Sequence, residues 1–258
     1  MNQQKEKKEL PLFPKTRDEL YASLNYFCSP ELPEAKTEYI QKYFKRHYDL
    51  ITECLTDENL KTSLAQKFTV LESIDGVGKS TQINLFKNQG FNVTSTPPPN
   101  FFETEKQREA MLMTKNYHLI STIYLGACLY ACVHIPKINI IDRFWPSTYA
   151  YQAAQYKQQT NIDITIVPKF EYLPNPINII YLQMPEKLRL KRLSGRNKNE
   201  TIEEQLMRKD IFFTENIKNN YKRIKQQTEF PYIEISIDDA KTTPQTIFET
   251  LKQYVVKY

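Results

Sequence analysis

Short apolar runs recur along the chain from residue 67 onward, separated by longer stretches in which apolar positions have helical spacing. Runs of about 4–8 apolar residues are typical of buried strands, and apolar positions three and four apart are typical of helices that face a core. The pattern predicts strands over Phe68–Leu71, Phe91–Ser95, Ile138–Ile141, Ile177–Leu182 and Tyr232–Ile235. It predicts helices over Lys79–Lys87, Glu103–Thr114, His118–Val133, Thr148–Gln158, Pro185–Leu193, Ile202–Gln226 and Pro244–Val256.

This alternation of strands and helices predicts the fold class. A helix between two strands returns the chain to the same end of the sheet, so consecutive strands pair in parallel. We therefore expect an α/β fold, a doubly wound five-stranded parallel sheet with helices on both faces. Ligands of such sheets bind beyond the carboxyl ends of the strands. Polar residues that follow a strand are thus the first candidates for a functional site.

The first 66 residues differ from the rest. They are charged, contain four prolines, and have helical spacing over Arg17–Phe27, Glu34–Cys54 and Glu58–Gln66. We expect an N-terminal helical extension (1–66) packed on a main domain (67–258). The sequence does not indicate what the extension does.

Composition narrows the function classes. The net charge of +5 comes from lysines interspersed with acidic residues, as on a solvated surface, and no basic-aromatic motif indicates nucleic-acid binding. No apolar run is long enough to span a membrane. The N-terminus lacks an apolar core and carries Glu6 and Glu9, so we expect an intracellular protein, cytoplasmic rather than mitochondrial. Cys128, Cys132 and His134 could bind a metal, but buried thiols on an apolar helix are commoner.

The segment after the first predicted strand, residues 72–82, reads ESIDGVGKSTQ. A strand, a glycine-containing turn and then Gly-Lys-Ser form the pattern of a phosphate-binding loop. Gly76 and Gly78 would let backbone N–H groups turn toward phosphate oxygens at the start of the next helix. Lys79 would bridge the β- and γ-phosphates and Ser80 would ligate Mg²⁺, so ATP and Mg²⁺ are the expected cofactors. The expected nucleotide-binding residues are Asp75, Gly76, Val77, Gly78, Lys79, Ser80 and Thr81.

Two charged residues, Asp142 and Arg143, follow the third predicted strand. A carboxylate at the end of a buried strand is costly unless it is used, and the Mg²⁺-side carboxylate of a phosphate-binding-loop enzyme lies at such a strand end. Asp142 could instead cap the next helix, but the preceding loop favours the metal role, shared with Ser80. The guanidinium of Arg143 is suited to bidentate phosphate binding.

A basic segment follows the fourth predicted strand. The cations are Arg189, Lys191, Arg192 and Arg196. Ser194-Gly195 interrupts the helical pattern, which predicts a mobile lid over about residues 190–205. Arginines of a lid can neutralise charge that develops during phosphoryl transfer. The alternative is a solvated basic helix end, favoured by the helix dipole.

Five ordered segments carry a family resemblance. They read ESIDGVGKSTQ, INIIDRFWPSTYAY, LPNPINIIYLQMP, RLSGR and IDDAKTTPQTIFETL. Over about residues 67–258 the chain resembles the thymidylate kinase superfamily of P-loop nucleoside monophosphate kinases. Within the superfamily, the chain is most similar to the mitochondrial-type UMP-CMP kinases. This similarity lies in DRFWPSTYAY with its Trp145, in STPPP after the second strand, and in RLSGR before an acidic segment. The extension lies outside the resemblance.

The resemblance implies an acceptor site. Asp75 would bind the 3′-hydroxyl of the acceptor sugar, and Arg143 would bind the acceptor phosphate. Tyr151 would crowd the 2′-position and favour deoxyribose, although it could equally be a core tyrosine. The implied substrate-binding residues are Asp75, Tyr124, Arg143, Ser147 and Tyr151. The implied catalytic residues are Lys79, Asp142, Arg143, Arg192 and Arg196. The superfamily also implies a possible homodimer.

Four features depart from the family pattern. The arginine usually found before the proline after the second strand is missing from Thr94-Ser95-Thr96-Pro97. Gly76 stands where some thymidylate kinases have a catalytic arginine. A catalytic arginine of this chain would therefore come from the lid, and Arg196 is the candidate. Residues 124–128 lack the arginine that reads thymine O4. Ser73 replaces the first glycine of the loop and would cost about 1–2 kcal/mol if the backbone there had positive φ.

These features predict Mg-ATP-dependent phosphorylation of a pyrimidine nucleoside monophosphate, of the dCMP, dUMP, CMP or UMP type. The partners would be small nucleotides, with no nucleic acid and no membrane. Two alternatives stay open. One is a dTMP kinase that reads thymine through other groups, and the other is a nucleotide-binding module that no longer turns over. Intact Gly78-Lys79-Ser80 and Asp142-Arg143 favour an active kinase.

Overall fold

The computed structural model describes residues 10–194, 210–238 and 242–255. Its strands are β1 (Thr69–Ser73), β2 (Val93–Ser95), β3 (Ile140–Asp142), β4 (Asn178–Gln183) and β5 (Tyr232–Ser236). They form one sheet in the order β2-β3-β1-β4-β5, and every neighbouring pair is parallel. All five predicted strands are confirmed to within two residues at each end. The predicted five-stranded α/β fold is confirmed with them.

Helices flank the sheet. Three precede it, namely α1 (Arg17–Phe27), α2 (Lys45–Cys54) and α3 (Asp57–Leu64). Seven alternate with or follow the strands: α4 (Lys79–Asn88), α5 (Glu105–Met113), α6 (Tyr117–His134), α7 (Trp145–Thr160), α8 (Glu186–Ser194), α9 (Ile211–Gln227) and α10 (Pro244–Lys252). Each of these seven overlaps a predicted helix. Residues 202–209 of the helix predicted over Ile202–Gln226 lie outside the described residues.

The single helix predicted over Glu34–Cys54 is wrong in its first part. A 3₁₀ turn covers Pro33–Lys36, and a π turn over Ile40–Phe44 leads into α2. Between them Thr37 is extended, with ψ 149°. Its hydroxyl donates to the carbonyl oxygen of Glu34 at 2.7 Å and accepts from the N–H of Ile40 at 3.4 Å. The threonine side chain thus ends one turn and caps the next, which helical spacing alone does not reveal.

Helix α6 is enclosed by other helices. Helices α1, α2, α3 and α7 all pack on it, which explains why it is apolar almost all round. Cys128 and Cys132 are buried in it, as expected of structural thiols. Within the described residues, no helix combines the length and apolar character needed to cross a bilayer.

The contact between α2 and α6 depends on Gly126. A Cβ atom at this position would overlap Cδ1 of Ile51, closer than side chains tolerate. The glycine therefore allows α2 to sit directly on α6. Leu20, Leu24 and Phe27 of α1 join the same buried core as the residues of the sheet. The boundary between residues 66 and 67 stays a prediction.

Candidate active site

The loop between β1 and α4 has the conformation expected of a phosphate cradle. Gly76 and Gly78 have φ values of +93° and +102°, a region that side-chain-bearing residues rarely adopt. A Cβ on Gly76 would lie 2.9 Å from Cγ of Leu193 in α8, so the loop is also closely covered. Ser73 lies inside β1 and does not have positive φ, so the expected cost of serine there does not arise.

Lys79 and Asp142 are brought together by the sheet. Asp142 ends β3, which pairs with β1 so that Leu71 lies opposite Asp142. The ammonium of Lys79, at the start of α4, donates a hydrogen bond to Oδ1 of Asp142. Burial lowers the pKa of Lys79, and Arg143 nearby adds to this effect. The alternative role of Asp142 as a helix cap is wrong, because the N-cap of α7 is Phe144.

The residues near this pair fit Mg²⁺ and nucleotide phosphates. Ser80 is exposed in the first turn of α4, and the Asp142 side chain is 21% exposed. A hydroxyl and a carboxylate oxygen are the hard donors that Mg²⁺ prefers. The glycine loop and the amino end of α4 supply N–H groups and a positive dipole for phosphate oxygens.

Arg143 has a left-handed backbone, with φ +65°. Such a conformation persists in a non-glycine residue only where the surroundings hold it. Here its N–H donates to the carbonyl of Leu71 at 3.1 Å, and the hydroxyl of Thr96 donates to its carbonyl at 2.7 Å. Its guanidinium forms an ion pair with Asp75 and lies 5.3 Å from the ring centre of Tyr151.

The buried carboxylate of Glu72 is linked to Arg143 through the hydroxyl of Ser147. Glu72 is fully buried in β1, and burial raises its pKa, although its hydrogen bonds oppose the rise. Its oxygens accept from the N–H of Phe144 at 2.9 Å, from Oγ of Ser147 at 2.5 Å and from the hydroxyl of Tyr221 at 3.0 Å. Nη1 of Arg143 in turn donates to Ser147 Oγ at 3.2 Å. Glu72 directly follows the predicted strand Phe68–Leu71, as Asp142 follows Ile138–Ile141, so the same signal could have found it.

A cavity of about 210 Å³ opens beside the loop. All five predicted substrate-binding residues line it: Asp75, Tyr124, Arg143, Ser147 and Tyr151. Sequence reasoning missed several polar side chains in the same wall, among them Arg108 of α5 and Gln152 of α7. Gln152 is 3% exposed, and within the described part of the chain its amide oxygen has no hydrogen-bond partner. Burial raises the pKa of the Tyr151 hydroxyl above its ordinary value.

Helix α8 places arginines against the loop. Nη1 of Arg192 donates to the carbonyl of Val77 at 3.0 Å, close to Gly78. Arg189, another cation of the basic segment, is fully buried and donates to the carbonyl of Asp75 at 3.0 Å. Its guanidinium also pairs with Glu186 at 2.5 Å. Arg196 and the lid beyond residue 194 lie outside the described residues.

Comparison with known proteins gives a family match. A family model described as Thymidylate kinase matches residues 71–243. Curated proteins named thymidylate kinase are similar over much of the chain. The protein of Thermosipho africanus is 27% identical over 210 residues, covering 74% of this chain and 98% of its own. The protein of Prochlorococcus marinus (strain MIT 9312) is 29% identical, covering 72% and 95%.

Solved structures are more distantly similar. Deoxyadenosine kinase from M. mycoides with bound dATP has 20% identity and a TM-score of 0.48, and covers 73% of this chain and 98% of its own. Thymidylate kinase from Ehrlichia chaffeensis has 18% identity and a TM-score of 0.42, and covers 72% and 98%.

Proposed function

The chain belongs to the thymidylate kinase family, and we propose that it transfers the γ-phosphoryl group of Mg-ATP to dTMP. The observation that carries the proposal is the position of Asp75. This residue lies in the glycine loop and also lines the cavity, where it pairs with Arg143. A nucleotide phosphate on the loop and an acceptor in the cavity would therefore meet at one place.

Each group has a role that its position supports. Lys79 and the loop N–H groups would hold the ATP phosphates, and Ser80 and Asp142 would hold Mg²⁺, which neutralises phosphate charge when bound. When the acceptor binds, the ion pair between Arg143 and Asp75 would break. Arg143 would then bind the acceptor phosphate, and Asp75 would bind the sugar hydroxyl. Arg192 would add positive charge at the loop, and Arg196 would do so from the lid. The acceptor is already an anion, so no strong base is required.

The cavity supports a 4-oxopyrimidine base over cytosine. Arg108 is a donor only, whereas the amide of Gln152 both donates and accepts. Thymine offers a carbonyl at position 4 and an N–H at position 3, which suit a guanidinium beside an amide oxygen. Cytosine carries an amino donor at position 4, which would oppose Arg108. The names of the curated relatives point the same way, so dTMP is proposed rather than the dCMP or UMP type that the sequence first indicated.

An acceptor panel tests the proposal. ADP release from Mg-ATP is measured with dTMP, dUMP, dCMP, UMP, CMP, dAMP and dGMP. We expect dTMP to have the highest kcat/KM, dUMP to follow and dCMP to be poor. Preferential turnover of dCMP or CMP would overturn the choice of base. No turnover of any acceptor, by folded protein that binds ATP, would indicate a binding module instead.

A further inference from the structure

The N-terminal extension reaches the wall of the acceptor cavity through α2. The chain segment 97–103, between β2 and α5, contributes Pro97 to this wall, and Arg108 lies one turn into α5. Two consecutive residues of α2, Arg46 and His47, contact the segment.

Arg46 binds the segment at three successive points. Its Nη2 donates to the carbonyl of Asn100 at 2.9 Å, and its Nη1 donates to the carbonyl of Phe101. Its Nε lies 3.0 Å from a carboxylate oxygen of Glu103. Backbone carbonyls of a surface segment otherwise bond to water, so these bonds fix its path.

His47 holds the segment by packing. It is fully buried, and its Nε2 lies 3.1 Å from the carbonyl oxygen of Phe101. Its ring centre is 4.9 Å from that of Phe101 and 4.7 Å from that of Phe102. Phe102 in turn meets Tyr124, which lines the cavity, edge-on at 6.4 Å. The contacts thus run from α2 through the segment to the cavity wall.

We infer that the extension completes the acceptor site, with Arg46 as a positioning residue that holds segment 97–103 in its binding conformation. The inference rests on the proposed function. Arg46 and His47 make these contacts on the acceptor side of the site. Loss of Arg46 therefore weakens the binding of the acceptor and spares that of ATP.

The test compares Arg46→Ala with Lys45→Ala. Lys45 is its exposed neighbour and forms an ion pair with Asp49 of the same helix. Both variants remove one positive charge from α2. Arg46→Ala removes all three contacts with the segment. We expect it to raise the KM for dTMP about five- to tenfold, with kcat and the KM for ATP within twofold. Lys45→Ala is expected to match the wild type.

Hydrogen exchange supplies a readout that does not need turnover. The N–H of Phe101 bonds to the carbonyl of Pro98 at 3.0 Å, and its exchange should speed up in Arg46→Ala only. Arg46→Lys keeps the positive charge but loses the planar guanidinium with its several N–H donors, so it should give an intermediate KM for dTMP. This variant replaces Arg46→Ala in the test if the alanine variant is unstable. If Arg46→Ala leaves the KM for dTMP unchanged, or raises the KM for ATP equally, the inference is wrong. The proposed function is still upheld in that case, provided that the wild type phosphorylates dTMP. A wild-type protein that does not phosphorylate dTMP would contradict both the proposed function and this inference.

Discussion

Lys79 donates a hydrogen bond to Asp142, and this contact joins the start of α4 to the end of β3 across 63 positions of sequence. Each residue offsets the buried charge of the other. The groups proposed to bind the ATP phosphates and Mg²⁺ are therefore already adjacent in the chain's own fold. Binding of Mg-ATP would exchange this ion pair for contacts with phosphate and metal.

Lys79→Ala is expected to lower kcat by about 10³-fold, because no other side chain of the loop can neutralise the β- and γ-phosphates. The Asp142 side chain is 21% exposed, so it stays solvated and the fold persists. ADP release and thermal unfolding measure the two effects. Lys87→Ala, at an exposed position of the same helix, is the matched control. More than a tenth of wild-type turnover in Lys79→Ala would contradict the assigned role.

Tyr151 is expected to make the enzyme prefer deoxyribose. Its ring lies under the guanidinium of Arg143 and lines the cavity proposed to hold the acceptor sugar. We expect kcat/KM for dUMP to exceed that for UMP by at least about tenfold. Tyr151→Phe, which keeps the ring, should narrow this ratio if the hydroxyl does the crowding. Equal values for the two acceptors in the wild type would refute the role.

Gln152→Leu is expected to raise the KM for dTMP about tenfold, because a buried amide that pairs with the base contributes about 1–1.5 kcal/mol. The control is Gln155→Leu. Gln155 is also buried in α7, and its amide oxygen likewise lacks a partner among the described residues, but it does not line the cavity. Equal effects of the two substitutions on KM would show that Gln152 does not read the base.

Gly126→Ala is expected to destabilise the fold by about 1–3 kcal/mol. Alanine in a helix normally gains about 1 kcal/mol over glycine, but here the new methyl group would overlap Ile51. Urea unfolding measures the change. Adding Ile51→Ala should recover part of the loss, so the double variant should be more stable than the sum of the single effects predicts. A stabilised Gly126→Ala protein would show that α2 does not pack as described.

His47 is expected to make stability depend on pH. Burial, with a further contribution from Arg46, lowers its pKa from 6.5 to about 4, while Glu103 opposes the shift. Below pH 6.5 the unfolded chain binds a proton that the folded protein does not, so the free energy of unfolding falls as the pH drops from 6.5 to 4. The loss over this window is about 3 kcal/mol.

Urea unfolding at several pH values measures this dependence. His47→Gln should flatten it, and His134→Gln should leave it in place. An unchanged slope in His47→Gln would assign the pH dependence to other groups.

Local residue patterns were enough to predict the sheet and the phosphate loop. A strand is recognisable from its own apolar run, and the turn at Gly76 and Gly78 depends on residues that are adjacent in sequence. Asp142 and Arg143 could be placed for the same reason, since the end of a parallel strand has a known position in the sheet.

Long-range packing decided the rest. Glu72, Ser147 and Tyr221 lie far apart in sequence and meet only because β1, α7 and α9 pack together. Arg108 and Gln152 belong to the candidate site because α5 and α7 line the same cavity. The link from Arg46 to Phe101 likewise depends on α2 resting on Gly126. Periodicity tells which face of a helix is buried, but not what that face meets, because the partner is chosen by the shape and chemistry of distant segments.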